Sequence, residues 1–349
     1  MTIRERIVAA LQHEPVDQIP FTIYPGMIPR GEQEDRLRAL GLGISWRVPL
    51  VKSHMPNVTV DYVEYQERGR RFGRWTAHTP VGAVSMVKQL HAAYGSSWYM
   101  EHYVKGPDDY PVVEFMVRDT VYEPDYDAYY QAVEELGEDG YVSGNFGYSP
   151  LMEMRVNLLG MERFGMDRFD HPDQFYSLYE ALREKQQEVY PLLADGPAEL
   201  VIYCGNCTPE VLGRDFAQYC VPCYNELGKM LHARGKLLGC HLDANNAFWA
   251  EVVAGSALDV IEAFTPAPDT DMSVAEARVA WPDKVLWINF PSSLHLASAE
   301  RIEAETRKLI ADAAPGRGFI VGITENVPDH AWEASLTAIA ETLAKAGAG

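Results

Sequence analysis

The chain has 349 residues, 47% hydrophobic and 23% charged, which suits one large folded domain or two ordinary ones and excludes a disordered chain. A formal charge of −20 excludes nucleic acid and an anionic membrane as main partners, because both are polyanions. No apolar run reaches the roughly 18 residues of a transmembrane helix. The opening Met1–Leu11, with its early charges Arg4, Glu5 and Arg6, reads as an amphipathic helix and not as an export signal. Five cysteines without such a signal imply reduced thiols and a cytoplasmic location.

After that helix comes an apolar strand, Ile19–Tyr24, closed by Pro25-Gly26. A short helix (Glu32–Leu40) and a second apolar strand (Ile44–Val51) follow. Residues Val58–Tyr65, Arg71–His78 and Ala83–Leu90 then alternate as an antiparallel meander, with breakers at Gly69 and Pro80–Gly82. This segment, about residues 55–92, is expected to be an insertion near the start of the fold. Its basic run Arg68, Arg70, Arg71 and Arg74 reads as a solvated hairpin end, with an anion site as the alternative.

From about residue 120 the pattern becomes regular. Helix Asp125–Leu136 precedes strand Gly140–Phe146, and a helical run spans Leu151–Leu193 with breaks near Gly160 and Pro172. Strand then alternates with helix: Glu199–Cys204 and Asp215–Arg234; Lys236–His241 and Ala244–Ala254; Ala257–Ala263 and Ser273–Trp281; Lys284–Phe290 and Ala299–Ala313; Gly318–Ile323 and Asp329–Ala346. Gly235, Gly316 and Gly318 stand where helices end, and Ser273 and Ser298 where N-caps belong. Six such strands and two near the N-terminus make eight, which predicts one α/β domain over residues 1–349, a (β/α)₈ TIM barrel with an N-terminal β-meander extension. An open doubly wound sheet is the alternative, but no Gly-x-Gly-x-x-Gly turn follows a strand.

Barrel chemistry sits at the C-terminal ends of the strands, where the following loops converge. Tyr24, Asn145, Tyr148, Asn206 and Asn289 occupy such positions and are the candidate substrate-binding residues. Asp243 and Glu262 are the candidate catalytic carboxylates. His241-x-Asp243 on an extended segment puts both side chains on one face. With Glu325, and with Cys207 or Glu262, this set has the donors of a zinc or other divalent-metal site; a hydrogen-bonded pair holding a loop fits the same spacing. Cys204-x-x-Cys207 and Cys220-x-x-Cys223 have a zinc-knuckle spacing, but the second pair falls on an amphipathic helix, where cysteines are ordinarily small core residues.

The run Arg4–Pro20, the segments Tyr219–Leu227 and His232–Asp243, and the stretches Leu258–Pro266 and Asp271–Arg278 resemble the uroporphyrinogen decarboxylase superfamily along nearly the whole chain. The resemblance implies a barrel and one of two reactions. The decarboxylases of that family bind a porphyrinogen through an Arg-Gln-Ala-Gly-Arg segment. Tyr24-Pro-Gly-Met-Ile-Pro-Arg30 stands there, with one arginine, too few guanidinium groups for a many-carboxylate substrate. The methyltransferases bind zinc through His-x-Cys and a Cys before a Pro. Here those places read His241-x-Asp243 and Glu325-Asn-Val-Pro328, a harder, oxygen-rich set suited to polarising an ether or hydroxyl oxygen.

The resemblance therefore implies a metal-dependent methyltransferase, moving a methyl group between a small methylated compound and a corrinoid supplied by a partner protein. A metal-free decarboxylase or lyase acting on a carboxylated or aromatic substrate, and a ligand-binding barrel without turnover, are the competing expectations. A homodimer is compatible with either enzyme.

Overall fold

The computed structural model describes residues 1–93, 96–243 and 245–347. Contacts divide the chain into two compact units. The first holds Met1–Leu50, Asp125–Phe146 and Leu193–Gly349; the second holds Val51–Pro124 and Gly147–Leu192.

In chain order the strands begin with β1 (Phe21–Ile23) and β2 (Leu42–Pro49). Next come β3 (Val51–His54), β4 (Thr59–Glu67), β5 (Arg70–Thr79), β6 (Gly82–Ala93), β7 (Ser96–Glu101) and β8 (Val121–Pro124). The series ends with β9 (Gly140–Phe146), β10 (Leu200–Cys207), β11 (Leu237–Leu242), β12 (Val260–Phe264), β13 (Val285–Asn289) and β14 (Phe319–Ile323).

The first unit is the predicted barrel. Its ring runs β1-β14-β13-β12-β11-β10-β9-β2 and closes on itself, every neighbouring pair parallel. Strands covered on both faces have no polar side to show, and all five residues of β12, β13 and β14 are buried. Helix Ile3–Leu11 packs Ile7, Ala10 and Leu11 into one apolar cluster with Tyr141, Leu200, Val260, Val285 and Ile320. A capping box fixes that helix: Thr2 Oγ1 accepts from the Glu5 amide at 3.1 Å, and Glu5 Oε2 accepts from the Thr2 amide at 2.8 Å. Ser273 and Glu276 repeat the device at helix Val274–Ala280.

Period-two alternation then selects what faces the ring interior. The registers Thr22↔Gly43, Arg47↔Ser143, Ile202↔Asn145, Ile202↔Gly239, His241↔Glu262 and Glu262↔Trp287 put these residues on one side of the sheet. Trp287 fills the middle, its Nε1 donating to Thr22 Oγ1 at 2.9 Å. Polar residues on that side are left for the C-terminal ends.

The second unit carries the antiparallel strands. β4-β5-β6-β7 form a meander, and β3 pairs with β8. The meander packs on helix Tyr110–Asp119, with Ala77, Val84, Val112 and Val113 buried. The hairpin between β4 and β5 turns through Arg68 and Gly69, both with positive φ, and its arginines are exposed, Arg71 paired with Glu64 at 2.7 Å. The insertion expected at about 55–92 lies inside this unit. β7, β8 and helix Tyr110–Asp119 go beyond what the pattern showed. Two helix starts also move. The helix expected at Ala244–Ala254 opens as a tight turn at Ala247–Trp249 and continues as Ala250–Ala254, with Ala244 outside the described residues. The last helix begins at Trp332, three residues after the expected Asp329.

Candidate functional site

Four strand ends of the barrel meet in one hydrogen-bonded cluster centred on Glu262, which is 2% exposed. His241 Nδ1 donates to Glu262 Oε2 at 2.7 Å, and Nε2 lies 3.0 Å from Asp243 Oδ1. Tyr24, just past β1, donates its hydroxyl to Glu262 Oε1. Arg47 of β2 brings Nη1 to 3.5 Å from Glu262 Oε2 and lays its guanidinium 4.4 Å from the centre of the Tyr24 ring. Beside them Cys204 Sγ donates to Asn145 Oδ1 at 2.8 Å.

Two backbone irregularities shape this end. β12 shifts register between Glu262 and Phe264, where Ala263 has φ +60°. β10 shifts between Tyr203 and Cys207, with Asn206 at φ +45°. Gly205 is required there, because a Cβ on it would lie 2.0 Å from the His241 carbonyl oxygen.

Electrostatics follow from the geometry. Burial opposes charge on His241, but the Glu262 carboxylate and the hydrogen bonds that the ring donates to both acids outweigh it and push the pKa up to about 10. Burial likewise works against ionised Glu262, yet His241, Arg47 and Tyr24 hold it down to about 2. Burial and the adjacent Glu262 raise Tyr24, and burial raises the Cys204 thiol. The ordinary state is thus an imidazolium between two carboxylates, with Arg47 as a second cation.

A neutral imidazole has one N–H and one lone pair; with Nδ1 donating to Glu262, Nε2 is the nitrogen left to face Asp243, and a metal there would take the place of the proton that Nε2 shares with Asp243. Glu325, expected as the third ligand, is exposed and accepts from Ser292 Oγ at 2.9 Å. Cys207 is fully buried, its Sγ 3.8 Å from the Tyr224 hydroxyl on helix Val221–His232. Among the described residues no three His, Cys, Asp or Glu side chains form a group that could hold a metal ion. Of the expected donors His241, Asp243, Glu325 and Cys207, only His241 and Asp243 meet, 3.0 Å apart. Period-two alternation from Leu200 and Ile202 accounts for the cysteines: it puts Cys204 on the inner face, while Cys207 pairs with Leu242 on the outer one.

Of the residues expected to bind substrate, Tyr24 and Asn145 belong to the cluster. Asn289 lies outside it. It is 1% exposed and ties strand ends together, with Nδ2 to Thr265 Oγ1 at 3.2 Å and to Ser292 Oγ at 3.3 Å, and Oδ1 accepting from the Thr324 amide at 3.0 Å. Asn206 is exposed. Tyr148 belongs to the second unit, where its carbonyl accepts from Gln186 Nε2 at 2.7 Å. Arg47 was missed by the sequence reading. Its one signal is a charge inside the apolar run Leu42–Pro49.

A closed eight-stranded parallel ring with its charged groups at the strand ends defines the class, a (β/α)₈ barrel with a site where barrels carry their binding groups. The sequence model of uroporphyrinogen decarboxylase (URO-D) matches residues 101–345, and the chain belongs to this family. No curated protein sequence matches it. Among solved structures it is similar to a methyltransferase from Methanosarcina mazei, at 12% identity and TM-score 0.59, with 99% of each chain covered. The GH18 chitinase ChiB from Flavobacterium johnsoniae aligns over 65% of this chain and 82% of its own, at 16% identity and TM-score 0.37. At 12% identity the likeness to the methyltransferase is one of fold.

Proposed function

We propose that the chain is a methyltransferase-like enzyme in which His241 delivers a proton to the heteroatom of a small methylated compound as its methyl group passes to a corrinoid carried by a partner protein. The observation that carries this reading is His241 held between Glu262 Oε2 and Asp243 Oδ1, a charged acid at a barrel strand end. The carbon–heteroatom bond breaks, the acceptor's electron pair takes the methyl group, and the heteroatom takes the Nε2 proton of His241 as Asp243, the more exposed of the two acids, gives up its place to the substrate. Protonation turns a poor leaving group into a good one, an effect typically worth roughly 10²- to 10⁴-fold. Asp243 and Glu262 act as the carboxylates that keep the ring charged and oriented. Tyr24 and Arg47 fix Glu262 in turn. The similarity in fold to the Methanosarcina mazei methyltransferase, over 99% of each chain, supports this reading. A divalent metal has no step in it.

A second reading, a decarboxylase-like reaction, is favoured by the family match and by Arg47, one guanidinium beside the proton donor and able to receive one carboxylate. There the carbon left by departing carbon dioxide would take the same proton.

The two separate in one assay. The protein is incubated with methoxylated aromatics, methylated amines and methylated thiols plus free cob(I)alamin, and methylcobalamin is followed by absorbance. In parallel, aromatic carboxylates are assayed for carbon dioxide. Methylcobalamin formation that falls at least about 10²-fold in His241→Asn supports the first reading. Carbon dioxide release without methyl transfer replaces it with the second, and transfer that is insensitive to His241→Asn removes the proton-donor role.

A further inference from the structure

The second unit holds a polar, aromatic-walled cluster that the barrel chemistry does not use. It forms on one face of the meander. The register row Glu64↔Gly73↔Lys88↔Tyr99 crosses all four strands, and the neighbouring row places Tyr62 beside Trp75. Gly73 is bare so that rings can lie across the strand, since a Cβ there would sit 2.7 Å from Trp75 Cη2 and 2.9 Å from Tyr62 Cε2. The Lys88 ammonium lies 4.1 Å from the centre of the Tyr99 ring and 6.0 Å from that of Trp75. Among the described residues it makes no hydrogen bond or ion pair, and its N–H groups are left to solvent or a ligand.

The wall behind it is built from a π-helical turn, Met154–Leu159, of the kind often found at functional sites. Tyr99 donates to Asn157 Oδ1 at 2.9 Å, and Asn157 Nδ2 donates to Glu153 Oε2 at 2.7 Å. The His102 ring stacks on Tyr99, 4.7 Å between centres. Lys88, Trp75, Tyr99, Asn157 and Glu153 are all part-exposed, and so reachable.

We infer that this face of the second unit is a binding site for a small aromatic monocarboxylate, its carboxylate on the Lys88 ammonium and its ring against Trp75 and Tyr99. A half-buried ammonium with unused N–H groups calls for an anion. The aromatic walls call for a planar apolar body. Arg71 on the same face is committed to Glu64 at 2.7 Å, so Lys88 is the cation left to a ligand, which suits a single negative charge. Burial raises the Glu153 carboxyl toward its neutral form, which eases its repulsion of such a ligand.

The test is titration calorimetry of the full chain with benzoate, benzamide and cyclohexanecarboxylate. Saturable benzoate binding is expected, with each of the other two weaker by about tenfold or more. Lys88→Met, which keeps the stem and removes the charge, lowers benzoate affinity by about tenfold or more, and Lys88→Arg retains most of it. Circular dichroism confirms that each variant is folded. Arg47→Met, which changes the barrel cluster, leaves benzoate affinity as it was. Absence of saturable benzoate binding, unchanged affinity in Lys88→Met, or loss in Arg47→Met instead each overturns the assignment.

Discussion

Glu262 accepts from His241 Nδ1 at 2.7 Å while its other oxygen accepts from the Tyr24 hydroxyl, so one buried carboxylate anchors three strand ends at once with Arg47 alongside. Breaking such a pair from one side leaves its partners buried and uncompensated. Glu262→Gln is therefore expected to destabilise the fold by about 3–5 kcal/mol. Urea unfolding of the two proteins, compared at constant slope, measures it; a difference below about 1 kcal/mol would mean that solvent already screens the cluster.

The same cluster sets a pH dependence whose sign is fixed. His241 rises from 6.5 to about 10, so its contribution to stability is complete below pH 6.5 and is lost as pH climbs through about 10. Glu262 falls from 4.5 to about 2, so its contribution is present above 4.5 and is lost as pH drops through about 2. Melting temperature should decline between pH 7 and 10 more steeply in the native chain than in His241→Asn. Parallel declines would refute the coupling.

Metal removal is a third check. With both His241 nitrogens on carboxylates and Glu325 on Ser292, prolonged chelation should leave activity unchanged. Elemental analysis should find equal metal content in the native chain and His241→Ala. Stoichiometric metal that disappears in His241→Ala would show that the ring turns to bind it.

Gly205 offers a backbone test. A methyl group there meets the His241 carbonyl oxygen at 2.0 Å, so Gly205→Ala must push the end of β10 away from β11. Turnover should fall by more than about tenfold, the order of loss expected when a reacting group is misplaced by a fraction of an ångström. Equal turnover in the two proteins would count against a rigid strand end.

Asn289→Leu keeps the volume but strands the Thr324 amide without its acceptor and removes the bonds to Thr265 and Ser292. A loss of about 1–3 kcal/mol is expected in denaturant unfolding, with substrate affinity little changed. A large rise in KM at unchanged stability would place Asn289 in substrate binding.

The sequence by itself determined the barrel. Short apolar strands alternating with helices, with glycines and serines at the helix ends, have few ways to bury both faces, and the observed strands fall on or near the expected segments. It also marked Tyr24, Asn145, His241, Asp243 and Glu262, because polar residues at the ends of apolar strands stand out against their neighbours. Which of these meet was decided only by the tertiary structure. Closing the ring brings β1 and β2 round to β12 across more than 200 residues of sequence, and that puts Arg47 beside Glu262. Ring closure also brings β9 beside β10, which sets Cys204 Sγ on Asn145 Oδ1 across 59 residues of sequence. His241 next to two acids reads along the chain as a ligand set. In space each acid takes one ring nitrogen, and the same three residues become a charged hydrogen-bonded cluster.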